Sequence, residues 1–235
     1  MVDDDALDPW INRDLLDPGR LADLRDRMAS HPARMVLVRD LLSEDAAASL
    51  AAFLRDGVDY RTEHGLYSKE GGVEAEEWNA APDADRFFRF DKLAGIRPEA
   101  ALEPSTITYM QFRAWVTQPA FRGFMEAITG VALGESDDFG IHRFRRGDFL
   151  RDHDDDNRGR RIALVMYLTP GWEPAFGGSL AMQHPDGTVE TVDAAFNSMV
   201  VFDVAIGSTH HVQPISEDAG DLGRCTFGGW FPDAA

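Results

Sequence analysis

Cysteine is nearly absent. Cys225 is the only one in 235 residues, which excludes an internal disulfide and any zinc site built from several thiolates. Long apolar runs are missing as well. No stretch of about 18 consecutive apolar residues occurs, so no membrane-spanning helix is expected. The N-terminus, Met1-Val2-Asp3-Asp4-Asp5, is acidic and lacks the apolar core of a signal peptide, so a cytoplasmic protein is expected. Positive charge is scarce. Lys and Arg total 23 against 41 Asp and Glu, and the net charge of −18 argues against nucleic acid as a direct partner. That charge is compatible with a basic substrate, although solubility alone accounts for it. No repeat of fixed period is visible.

What is present suits a globular fold. Hydrophobic residues make up 44% of the chain, enough for a proper core. Residues 1–11 read as a loose acidic tail. Asp17-Pro18 can open a helix carrying Leu21, Leu24 and Met28 at helical spacing. Met35-Val36-Leu37-Val38 reads as a short strand. Ser43 can cap a second helix with Leu50, Phe53 and Leu54 on its apolar face and Gly57 at its end. Tyr60 to Tyr67 reads as extended, and Glu70 to Asp85 as a long acidic surface loop with lid character. Residues 105–130 are helical again, broken at Gln118-Pro119 and stopped at Gly130.

After Gly130 the pattern changes to short strands separated by turn residues. The candidates are 139–145, 148–155, 160–168, 178–183, 187–192, 198–203, 209–214 and 224–231. Eight such strands point to a barrel or jelly roll. The expected architecture is one α+β domain spanning 1–235. In it the 1–11 tail precedes helical support and lid over about 12–130, and a catalytic jelly roll covers about 139–231.

Within that β-rich half, Phe149-Leu150-Arg151-Asp152-His153-Asp154-Asp155 carries the chemistry. On a strand, positions i and i+2 share a face, so His153 and Asp155 point together while Asp154 turns away. One imidazole and one carboxylate supply two ligands of a facial 2-His-1-carboxylate iron site with open positions. The third ligand should come from a distant strand. His210, in Thr209-His210-His211-Val212-Gln213-Pro214, is the candidate.

An ordered set of motifs surrounds these residues. Arg146-Gly147-Asp148-Phe149-Leu150 precedes His153 to Asp155, and Tyr167-Leu168-Thr169, Trp172 and Gly177-Gly178-x-Leu180 follow. Phe202 then leads to His210-x-Val212-x-Pro214, Arg224-x-Thr226 and Trp230-Phe231. In this order the set resembles the Fe(II)/2-oxoglutarate-dependent dioxygenases of the prolyl-4-hydroxylase-like superfamily. It resembles the ribosomal prolyl hydroxylases and bacterial relatives more than the animal oxygen-sensing enzymes, because the segment between His210 and Arg224 is longer than in the latter. The second, non-catalytic barrel of the ribosomal type has no counterpart among these residues.

The resemblance implies a double-stranded β-helix (jelly-roll, cupin-like) barrel buttressed by N-terminal helices. It implies Fe(II) on His153, Asp155 and His210, with His210 preferred over His211 by the His-x-Val-x-Pro spacing. It implies 2-oxoglutarate as co-substrate, dioxygen, and room for ascorbate as a reductant. Arg224 suits the far carboxylate of 2-oxoglutarate, because guanidinium pairs carboxylates bidentately and keeps its charge. Thr226, two residues on, shares its face, and Tyr167 matches a tyrosine that contacts the same carboxylate in the family. Trp230 is expected as a pocket wall and Cys225 as a packed, inert thiol. His142 could line the pocket, though a satisfied core histidine is the preferred reading; His31, His64 and His184 are expected as surface or loop residues, and Asp154 and Asp156 as solvated. Phe144 departs from the tyrosine of many relatives.

The implied activity is decarboxylation of 2-oxoglutarate to succinate coupled to hydroxylation of an unactivated C–H, most naturally of a prolyl residue in a protein or peptide. Two alternatives stand beside it. One is a tailoring hydroxylase of a free or carrier-bound amino acid, and the other is a non-catalytic metal-binding barrel serving as scaffold or sensor.

Overall fold

The computed structural model describes residues 4–155, 159–184 and 186–234. Asp156 and the turn residues Asn157, Arg158 and Pro185 lie outside this set. Six α-helices are described: α1 (Asp4–Leu7), α2 (Pro18–Ser30), α3 (Glu44–Ala52), α4 (Ala75–Ala80), α5 (Pro104–Trp115) and α6 (Pro119–Thr129). The strands are β1 (Met35–Val38), β2 (Val58–Leu66), β3 (Arg86–Ile96), β4 (Phe139–Phe144), β5 (Phe149–His153) and β6 (Arg160–Tyr167). After them come β7 (Leu180–Gln183), β8 (Val189–Val192), β9 (Ser198–Asp203), β10 (His210–Val212) and β11 (Arg224–Pro232).

The strands form a nearly closed antiparallel barrel of jelly-roll type in the order β1-β9-β6-β11-β4-β3-β5-β10-β7-β8, with β2 paired outside β3. Strand alternation divides the buried side chains into two cores. From β6, Ile162, Leu164 and Met166 face the helices, where they meet Phe112, Phe121, Phe124 and Ile128. The intervening Ala163 and Tyr167 face the barrel interior with Met182, Phe202 and Val212. The same rule splits β11: Cys225, Phe227 and Phe231 go to the helix side, and Arg224, Thr226 and Trp230 line the interior.

The helix signals act as read. Pro18 opens α2, and the Asp17 carboxylate accepts from the amides of Gly19 and Arg20 at 2.9 and 3.1 Å. Gly130 ends α6 in the left-handed region at φ 71°. Ser43 precedes α3 but does not cap it; its hydroxyl donates to the Pro9 carbonyl at 2.6 Å. No helix among the described residues is long and apolar enough to cross a membrane.

Three N-terminal expectations need correction. Residues 4–11 are not a loose tail, because Leu7 and Ile11 are buried and Trp10 stacks on Trp115 at 5.7 Å. The support over about 12–130 does not stand wholly outside the barrel: the strand expected at 35–38 and the extended segment at 60–67 form β1 and β2, and with β3 they join the barrel sheet. The segment 70–85 is not a bare loop. It contains α4, whose Trp78 is buried beneath the Arg86 guanidinium at 4.5 Å, and Arg86 also donates to the carbonyls of Trp78 and Asn79. Burying an indole repays the ordering of so polar a segment.

Candidate metal centre and its cavity

β5 and β10 run antiparallel with His153 opposite His210. Asp155 lies two residues past the end of β5 and turns back between the two rings. Asp155 Oδ1 is 3.7 Å from His153 Nε2, and Oδ2 is 3.3 Å from His210 Nε2. The ring centroids are 4.2 Å apart, and the three ligand-type atoms all lie within 4.8 Å of one another. Asp155 and His210 are 7% and 5% exposed, so the cluster is withdrawn from water.

Local contacts prepare these groups to bind a cation. His153 Nδ1 lies 2.9 Å from the Arg151 carbonyl, which holds the ring proton there and leaves Nε2 free to ligate. Burial, and then the nearby His210, push the His153 imidazole down to about 4. Burial alone would raise the Asp155 carboxyl. The His210 contact and the charges of both imidazoles outweigh burial and hold the carboxyl below its ordinary range. A neutral imidazole beside an ionised carboxylate is the state a divalent metal requires. His211 takes no part, since it turns outward and its Nδ1 meets Asp152 Oδ1 at 2.7 Å. Asp154 is exposed, as expected.

A cavity of about 330 Å³ runs from this cluster into the barrel. Arg224 lines it and is only 2% exposed. Its guanidinium carbon stands 4.9 Å from the Tyr167 ring and 5.3 Å from the Phe144 ring. No acidic residue pairs with it among the described residues, and both Arg224 Nε and Tyr167 Oη are buried without a hydrogen-bond partner. Burial lowers the Arg224 pKa and raises that of Tyr167. A buried, uncompensated guanidinium is costly unless an anion joins it. Thr226, buried beside it on the same face, donates weakly to the His142 carbonyl at 3.4 Å. Iron(II) on the histidine–carboxylate cluster and a dicarboxylate on the arginine therefore fit the residues present.

The remaining wall was only partly legible. Trp230 lines the cavity as expected, with the Arg160 guanidinium 3.4 Å above its ring and Asp138 holding Arg160 at 2.8 Å. His142 is a lining residue rather than a sealed core histidine. Burial, then the charges of Lys92 and Arg224, push it down to about 4. The alternation that puts Phe144 inside also puts His142 there and could have revealed it. Phe88, Phe90 and Lys92 were missed because β3 was not recognised as a strand. Cys225 faces away and is buried, and burial raises its thiol pKa. His64 is half-buried beside Trp78 at 5.2 Å, and His184 is buried at 7% exposure, contrary to the surface reading.

Comparison with known proteins agrees with this geometry. Residues 139–232 match the family model of the 2OG-Fe(II) oxygenase superfamily. The chain is 31% identical over 155 residues to prolyl 3-hydroxylase OGFOD1 of Mus musculus, covering 63% of this chain and 26% of that protein. It is 34% identical over 161 residues to the Xenopus laevis protein of the same name, covering 65% of this chain and 30% of that one. The chain thus spans less than a third of the length of these curated relatives. Two solved structures share the fold. A Pseudomonas putida prolyl-4-hydroxylase superposes with a TM-score of 0.59 at 23% identity, covering 92% of this chain and 100% of that one. A Trichoplax adhaerens prolyl hydroxylase, solved with a hypoxia-inducible-factor peptide fragment, gives 0.61 at 15% identity, covering 94% and 93%. Residues 139–232 are thus similar to the 2OG-Fe(II) oxygenase superfamily, whose members use iron(II) and 2-oxoglutarate, and the chain shares its fold with prolyl hydroxylases.

Proposed function

We propose that this chain hydroxylates a prolyl residue in a protein or peptide, with iron(II) held by His153, Asp155 and His210. In this reading 2-oxoglutarate is anchored by Arg224, with Tyr167 and Thr226 beside it. The observation that carries the proposal is the pairing of two groups in one cavity: a histidine–carboxylate cluster and a buried arginine that lacks an acidic partner. The metal, when bound, supplies the oxidising chemistry that couples decarboxylation of 2-oxoglutarate to C–H hydroxylation.

The chain's own residues then do the rest. His153 is kept in its ligating tautomer by the Arg151 carbonyl. Asp155 contributes a negative charge that offsets part of the cation's. Arg224 and the Tyr167 hydroxyl orient the far carboxylate of the co-substrate, fixing how its other end meets the metal. Phe88, Phe90, Leu150 and Trp230 give the cavity apolar walls that exclude water and suit a pyrrolidine ring. The kinship to prolyl 3-hydroxylase OGFOD1 supports a prolyl substrate. A cytoplasmic setting belongs to the same proposal, supported by a chain with one cysteine.

The test is succinate release and product mass with iron(II), 2-oxoglutarate and proline-containing peptides, set against free proline and other free amino acids. Peptide-dependent turnover with one oxygen atom added supports the reading. Turnover with free amino acids alone would move the assignment to a tailoring hydroxylase. Iron(II) binding without turnover of any substrate would leave a non-catalytic metal-binding barrel, and failure to bind iron(II) would remove both readings.

A further inference from the structure

A second cluster of ligand-type side chains lies away from the cavity, at the open side of the barrel. β1 and β8 are the two ends of the strand path, and each is paired on one side only. His31, the residue that caps the C-terminus of α2 just before β1, reaches across to β8. Its Nε2 lies 2.9 Å from Glu190 Oε2. His184, between β7 and β8, brings its own Nε2 to 3.3 Å from the same oxygen. The two rings are 5.3 Å apart, and the ligand-type atoms of all three residues lie within 4.8 Å of one another. His184 is buried, and its Nδ1 has no partner. Glu190 keeps 45% of its side chain in solvent, which leaves an entry path.

We propose that His31, His184 and Glu190 form a second metal site, for a divalent ion of the zinc class, that staples the end of α2 to the β7–β8 hairpin. Two imidazoles and one carboxylate are the borderline donors that zinc prefers, and they leave a fourth tetrahedral position for water. His184 and Glu190 share the β7–β8 hairpin, whereas His31 stands at the end of α2, beside the opposite end of the strand path, so a bound ion would cross-link the open side of the barrel.

One contact works against binding. The Ala33 amide donates to His31 Nδ1 at 3.2 Å, so in the metal-free chain the ring proton sits on Nε2 and is donated to Glu190. An ion at Nε2 moves that proton to Nδ1, so both the 2.9 Å hydrogen bond to Glu190 and the 3.2 Å contact from the Ala33 amide are given up for a metal–nitrogen bond. If the cluster were instead only a hydrogen-bonded latch, stability would not respond to metal.

The experiment uses the full chain with His153→Ala/His210→Ala, which removes two ligands of the cavity cluster. Zinc(II) is the probe. Equilibrium dialysis with metal analysis is expected to leave one zinc bound per chain, and the melting temperature should rise with zinc concentration. Adding Glu190→Gln, a change of charge at a half-exposed position, should remove both the bound zinc and the thermal shift. His184→Ala is a poorer test because a buried ring is lost with it. Absence of bound zinc in the double variant, or zinc binding that survives Glu190→Gln, overturns the proposal. Neither outcome bears on the cavity site, whose ligands are already removed.

Discussion

His210 stands directly across from His153 in the β5–β10 register, with ring centroids 4.2 Å apart, whereas its neighbour His211 turns away to Asp152 at 2.7 Å. One residue of strand alternation thus separates a cavity group from a surface group. His153→Ala and His210→Ala are each expected to abolish 2-oxoglutarate turnover, and His211→Ala to retain a substantial fraction. Succinate release measures all three. An active His210→Ala beside an inactive His211→Ala would reassign the distal ligand.

Among the described residues no acidic group pairs with the buried Arg224, and its Nε and the neighbouring Tyr167 hydroxyl lack hydrogen-bond partners. Removing its charge should cost co-substrate binding about 2–5 kcal/mol, because the far carboxylate would then be buried without a cation. Arg224→Ala should raise the 2-oxoglutarate concentration for half-maximal turnover by orders of magnitude while leaving iron(II) affinity nearly intact. Calorimetry with each ligand separately distinguishes the two effects. Unchanged 2-oxoglutarate affinity would falsify the anchor.

Much of this site could be read from the chain because its signals are local. β4 to β11 are short runs, several of them continuously apolar, set between turn glycines and prolines, and the face shared by Arg224 and Thr226 follows from the two-residue period of a strand. β3 was not legible, because Arg86, Arg89, Asp91 and Lys92 make it look like a solvated loop. Several of its charges are satisfied by residues distant in sequence, as when Asp91 meets Arg143 within β4 and Arg145 just past its end. The buried His184 was hidden in the same way, since His31 reaches it only across the open side of the barrel. The N-terminal segment misled through its acidity, which drew attention from Leu7, Trp10 and Ile11.

Asp91 offers a test of that long-range satisfaction. It is 1% exposed and accepts from Arg143 Nη2 at 2.6 Å and from the Thr62 hydroxyl at 2.7 Å, with Arg145 Nε 2.9 Å away. Asp91→Ala leaves two guanidinium groups without their shared anion. A destabilisation of about 1–3 kcal/mol is expected, because Asp91 is buried but solvent reaches both stranded guanidinium groups and takes up part of their charge. Chemical denaturation measures it. A loss below about 1 kcal/mol would mean that solvent already screens the network as it does a surface pair.

His142 should make the fold acid-sensitive. Burial, then Lys92 and Arg224, lower its pKa from 6.5 to about 4. Between those values the unfolded chain takes up a proton that the folded imidazole refuses, so this residue favours folding fully above pH 6.5 and less as pH falls toward 4. The ceiling is about 3 kcal/mol, at about 1.4 kcal/mol per pKa unit. His142→Gln, which cannot titrate, should flatten the loss of stability between these two pH values. A wild-type profile and a variant profile of equal slope there would show that His142 is protonated without penalty.

Gly178 is the position where the backbone makes room for the anchor. It lies at φ +70°, and a Cβ there would stand 2.5 Å from Ile215 Cδ1 and 2.8 Å from Arg224 Cδ. Both obstacles are side-chain atoms. Ile215 can swing its terminal methyl, but Arg224 is held between the Tyr167 and Phe144 rings and can yield only by shifting its guanidinium. At Gly177 the obstacle is different: a Cβ would meet the Pro214 carbonyl oxygen at 2.4 Å, and backbone cannot step aside. Gly178→Ala is therefore expected to cost about 1–3 kcal/mol of stability from strain and crowding, and to weaken 2-oxoglutarate binding beyond that. Gly177→Ala should lower the melting temperature further, because strand pairing itself must move. Thermal melts and 2-oxoglutarate titrations of the two variants separate the cases. A Gly178→Ala protein that melts lower yet binds 2-oxoglutarate normally would show that the guanidinium keeps its place without the space this glycine provides.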